Sequence, residues 1–91
     1  MAVGRYYMIY VKRKPASSAD DVEKQMDHAL DWYRIKPDLW IVWSTSNSEK
    51  WYERLTPIVK TGGHVLICEL DQNNRQGWMP KEFWDWFQKS R

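Results

Sequence analysis

Tyr6, Met8 and Tyr10 alternate with Tyr7, Ile9 and Val11, so an extended segment from Arg5 to Val11 is apolar on both of its faces. A strand of that kind has to be flanked by other strands and covered on two sides, which makes it the centre of a sheet rather than an edge. It runs straight into Lys12-Arg13-Lys14-Pro15, and the strand end therefore carries three adjacent cations. A strand end is rigid enough to aim a side chain at a ligand. What is aimed here suits a phosphate or an acidic surface and is unable to hold Mg²⁺, which takes oxygen ligands.

Downstream, the apolar period switches between two and about 3.6 residues. Ser18 precedes Asp20, Asp21 and Glu23, which suit a positive helix N-terminus, and Val22, Met26, Ala29 and Leu30 recur at helical spacing. This predicts a first helix over about Ala19 to Asp31, with Tyr33 also fitting its stripe. A weak strand, Trp32 to Lys36, and a strong one, Leu39 to Ser44, flank Pro37-Asp38 as a hairpin. Ser46-Asn47-Ser48-Glu49 reads as a capping box. It opens a second helix through Trp51, Leu55, Ile58 and Val59 that ends at Gly62-Gly63. Pro57 lacks a backbone donor and predicts an irregular last turn. His64 to Leu70 is a further strand, apolar on both faces, followed by a polar loop from Asp71 to Gly77. Pro80 opens a short terminal helix with Phe83, Trp86 and Phe87 as its stripe.

The order β-α-β-β-α-β plus a helix predicts an α+β, ferredoxin-like domain spanning residues 1–91. It has a four-stranded antiparallel sheet with both main helices on one face. The other face needs a cover, which the terminal helix, a ligand or a second copy can supply. Ninety-one residues suffice for one modest core and not for a deep cleft between lobes. A net charge of +2 is too small to argue for nucleic acid by itself, so the placement of charge matters more than its sum. Cys68 is the single cysteine, which excludes a disulfide framework and a cysteine-based zinc site. No apolar run approaches the roughly 20 residues of a membrane span, and the first residues lack the apolar core of a signal peptide. The expectation is a cytoplasmic protein without a membrane partner, a cofactor or a small-molecule substrate.

Tyr7 to Pro15, the Trp32 to Ser44 hairpin, Arg54-Leu55-Thr56-Pro57, His64 to Asp71 and the ending from Gly77 to Trp86 together resemble small bacterial proteins often labelled SinR-like. Those proteins are similar in fold to the CRISPR-associated Cas2 family. The resemblance implies a ferredoxin-like homodimer that contacts nucleic acid, in some members with metal-dependent nuclease activity from an aspartate closing the first strand. Val11 stands at the matching position here. Valine neither ligates a metal nor activates water, so the expectation is a non-catalytic binding module. Its partner would be nucleic acid or a nucleic-acid-processing protein complex, the latter including a role as a small inhibitor. The alternative is a weak metal-dependent endoribonuclease using Glu69 and Asp71, the best remaining carboxylate pair.

The candidate contact residues are Lys12, Arg13 and Lys14, with Arg34, Lys36 and Arg5 adding to the same basic side, and Trp40. Adjacent side chains alternate along an extended chain, so the three consecutive cations are not expected to face one ligand together. Seven tryptophans exceed what a small core absorbs, and some should lie near the surface as stacking platforms or interface anchors. Trp40, on the opposite face of its strand from Trp43, is open between interface and core. His64, Leu66 and Cys68 share a side of their strand, and a packed cysteine beside a partly exposed histidine is the plainer reading than a metal pair.

Overall fold

The computed structural model describes residues 3–91. The elements are β1 (Arg5–Lys12), α1 (Ala19–Met26), β2 (Asp31–Lys36), β3 (Leu39–Ser44), α2 (Ser48–Val59), β4 (His64–Leu70) and α3 (Lys81–Phe87). The four strands form one antiparallel sheet in the order β2-β3-β1-β4. β1 is central, as its two apolar faces require.

One face of the sheet presents Tyr7, Ile9, Val11, Trp40 and Val42 to α1 and α2, which answer with Val22, Met26, Trp51, Leu55, Ile58 and Val59. Full burial of a side chain of this size contributes about 1.5–3 kcal/mol, so this layer is the main source of stability. Ser44 Oγ accepts from Trp51 Nε1 at 3.1 Å, whereas the buried Trp40 Nε1 has no hydrogen-bond partner. The other face presents Tyr6 and Ile41 to Phe83, Trp86 and Phe87 of α3. α3 covers only the end of that face near Tyr6. Around Met8, Tyr10, Leu66 and Cys68 the sheet is partly or fully exposed, with Leu66 at 56%.

Several sequence expectations are corrected. α1 stops at Met26 instead of Asp31, after the reciprocal Ser18–Asp21 capping box has started it. The next residues tighten into turns, His28 N to Gln25 O at 3.1 Å and Ala29 N to Met26 O at 2.9 Å. Leu30 N then joins Trp43 O at 2.8 Å, and β2 begins at Asp31 opposite Trp43. Sheet pairing thus claims Tyr33 from the helical stripe, and Leu30 is left exposed. α2 is capped by Asn47, whose side chain accepts from Lys50 N at 2.8 Å, and not by the Ser46 box. Ser46 N instead donates to Ser44 Oγ at 3.0 Å. Pro57 is accommodated inside α2, which runs on to Val59. The irregular backbone follows it, at Thr61 and Gly62, with φ of 68° and 113°. β4 spans His64–Leu70 as expected and is apolar on both faces, but it is an edge strand, and its Leu66 is left exposed.

Candidate functional site

Three connections meet at the end of the sheet where β1 finishes. The β2–β3 turn is fastened to β1 by Val11 N donating to Asp38 O at 2.8 Å. The β1–α1 connection is fastened to α2 by Lys14 N donating to Ile58 O at 2.9 Å. The α2–β4 turn presses against the end of β1 and the connection that follows it, because a Cβ on Gly63 would collide with Lys12 O and Lys14 N. Glycine at that position lets the turn approach the backbone that carries the cations.

The result is an open depression of about 730 Å³ lined by Lys12, Arg13, Lys14, Arg34, Lys36 and Asp38 among others. Of the six cations singled out in the sequence, Lys12, Arg13, Lys14, Arg34 and Lys36 share this site, whereas Arg5, at the opposite end of β1, does not and pairs with Glu69. The alternation argument fails because β1 ends at Lys12; Arg13 and Lys14 belong to a turn, in which side chains no longer alternate. Arg13 is held by its Nη1 donating to Ser17 O at 2.7 Å, and Arg34 by its Nη2 donating to Pro37 O at 2.8 Å. Asp38 is the single carboxylate of the lining. The ion pairs among the described residues are Arg5–Glu69, Lys50–Glu53, Lys81–Asp85 and Arg91–Asp31, so none engages a cation of the depression. Unneutralised positive charge at a concave surface is the electrostatic condition for holding an anion.

Trp40 is not a surface residue. At 1% exposure it belongs to the helix-covered core, packed edge-on against Trp32 at 4.8 Å, and only the Arg34 guanidinium stacks above it at 4.8 Å. Its contribution to the site is to support Arg34. The exposed tryptophan is Trp78, whose residue is fully accessible in the loop before α3.

Val11 is 2% exposed and packs in the helix-covered core, although it also borders the depression where β1 ends. Glu69, near the end of β4 away from the depression, is paired with Arg5 at 3.1 Å. Asp71 Oδ1 accepts from Asn73 N at 2.9 Å in the following turn. Among the described residues, no group of three or more His, Cys, Asp or Glu side chains is placed to hold a metal ion. Among the same residues, no helix is long and apolar enough to cross a membrane.

Sequence reasoning missed Asp38 and Gly62 as parts of the lining and Gly63 as the residue that brings the turns together. The Gly62-Gly63 pair was the available signal, read only as a helix stop. The chain matches no family model, no curated protein and no solved structure.

Proposed function

We propose that this chain is a non-catalytic binding module of ferredoxin-like, Cas2-like build whose basic depression receives the phosphate backbone of a nucleic acid. The strand order β2-β3-β1-β4, with both longer helices on one face, supports that build. The observation that carries the function is the convergence of Lys12, Arg13, Lys14, Arg34 and Lys36 on one hollow with Asp38 as its only carboxylate. Phosphate contacts from lysine and arginine supply most of the affinity in sequence-independent binding, and they fall steeply with salt.

The module acts as a homodimer in this reading. Its support is the half of the second sheet face that α3 leaves open, where Tyr10 and Leu66 pair across β1 and β4. A second reading, contact with a protein of a nucleic-acid-processing complex, is favoured by Trp78, since a fully exposed indole is a common interface anchor.

The test is a mobility-shift series with labelled single- and double-stranded RNA and DNA, at low and physiological salt, with and without Mg²⁺ or Mn²⁺. A salt-sensitive shift without cleavage is the expected result. Metal-dependent cleavage replaces the binding module by the endoribonuclease, and silence in every lane replaces nucleic acid by a protein partner.

A further inference from the structure

Arg54 lies outside the depression. It sits on α2 with its guanidinium carbon 4.7 Å from the centre of the fully buried Trp51 ring. Its Nη1 is buried and has no hydrogen-bond partner, and no carboxylate among the described residues pairs with it. Burial pushes the Arg54 pKa below its ordinary value, the response of a cation desolvated with nothing to neutralise it. A native fold rarely leaves a buried N–H of a charged group unmatched, and such a group is where an absent ligand is to be sought.

Arg54 lines a second hollow, of about 400 Å³, between α1, α2 and the β1–α1 connection, together with Lys14, Ser17, Asp21, Lys24 and Gln25. Its one carboxylate, Asp21, caps α1 through Oδ2, which accepts from Ser18 N at 2.9 Å, and stays ionised, offset by the three cations Lys14, Lys24 and Arg54. Lys14 lines this hollow and the first depression alike, so the two adjoin at that residue. A single small anion fills one hollow. A chain of phosphodiesters can fill both.

Resting on the reading of the basic depression as a phosphate site, we propose that a nucleic-acid strand bound there continues over Lys14 into the α1–α2 hollow. Arg54 and Lys24 take a further phosphate in that second hollow. The flexible arginine stem turns Nη1 toward the incoming oxygen, which supplies the acceptor that the folded chain lacks. The ligand class is therefore a polyanion of several consecutive phosphates, not a mononucleotide.

The experiment is fluorescence anisotropy with labelled oligouridylates and oligothymidylates, as dinucleotide and decanucleotide, over a series of salt concentrations. The wild-type protein should bind the decanucleotide more tightly than the dinucleotide. Arg54→Gln should remove that advantage and make the salt slope shallower by roughly 0.7, the value of one single-strand phosphate contact, while leaving dinucleotide binding unchanged. Arg54→Lys should retain most of the slope. If Arg54→Gln unfolds by circular dichroism, Lys24→Gln, on an exposed helix face, carries the same test. Wild-type affinity and slope on the decanucleotide in these variants overturn the inference while leaving the depression intact as a site. Failure of the wild-type protein to bind either oligonucleotide instead overturns the underlying reading.

Discussion

Asp31 Oδ2 accepts a hydrogen bond from Trp86 Nε1 at 2.8 Å, which ties the first residue of β2 to the last turn of α3. The same oxygen is 3.1 Å from Arg91 Nη1. Arg91 Nε donates to Tyr6 Oη at 2.6 Å, and its guanidinium lies 5.0 to 5.5 Å from the ring centres of Trp86, Tyr6 and Trp43. One carboxylate thus organises an indole, a guanidinium and a phenol at the join between sheet and terminal helix. Asp31→Ala leaves the Trp86 N–H and the Arg91 cation without their acceptor. The expected loss is about 1–3 kcal/mol, read as a shift in the urea midpoint at unchanged slope. A loss within a few tenths of a kcal/mol would show that α3 docks by apolar contact alone.

The position of Val11 supplies a second prediction, since introducing an aspartate there is the obvious attempt to create a nuclease. Val11 is packed under α1 and α2 at 2% exposure, so Val11→Asp buries a carboxyl group with no partner. The variant should lose about 3 kcal/mol or more at neutral pH and gain no cleavage activity. Burial raises the folded-state pKa of such a group above its unfolded value of about 4. Both states are protonated below that value, so the electrostatic part of the loss is absent there. It grows as pH rises from about 4 toward the raised folded pKa. Denaturation at several pH values checks the sign, and a penalty that shrinks with rising pH contradicts the burial.

The sequence made the sheet legible because its central strand is apolar on both faces, a pattern with few alternatives. Five of the six cations named from the sequence line one hollow, since a run of cations at the end of β1 and two more beside the β2–β3 turn are brought together by the antiparallel pairing of β1 with β3, while Arg5 lies at the opposite end of β1. Two kinds of feature stayed hidden. Where α1 ends depends on Leu30 N finding Trp43 O, a tertiary bond that overrides the local helical period. Whether Trp40 faces a core or a partner depends on which face the two longer helices choose, and strand alternation separates it from Trp43 without saying which side is covered. The role of Arg54 was out of reach for the same reason: on a helical wheel it is an ordinary arginine, and only the packed structure leaves its Nη1 unmatched.

Leu66 gives the test of self-association. It is 56% exposed on edge strand β4, opposite Tyr10 and beside the half-buried Cys68, on the part of the face that α3 does not reach. Leu66→Glu introduces a charge that a dimer interface there would have to desolvate, whereas in a monomer it is a surface change worth within about 0.5 kcal/mol. Sedimentation velocity on the wild-type chain should therefore give a dimer and on the variant a monomer, with unchanged thermal stability per folded chain. A wild-type monomer at all concentrations, or a variant that remains dimeric, removes this face from the account.

Charge reversal in the depression is the decisive variant for function. Lys12 and Lys36 are both exposed, are free of ion pairs among the described residues, and line the same hollow from different strands, so changing them together alters the site without touching the core. Each reversal removes one phosphate contact and adds a repulsion. Lys12→Glu with Lys36→Glu should abolish a salt-sensitive shift at physiological ionic strength and leave the circular dichroism spectrum and urea midpoint close to those of the wild type. The neutral pair Lys12→Gln with Lys36→Gln should weaken binding less, with a salt slope shallower by roughly 1.4 on single strands if both contacts are made. Retention of wild-type affinity by the reversed variant would place the nucleic acid elsewhere, because no polyanion tolerates two new carboxylates in the hollow that holds it.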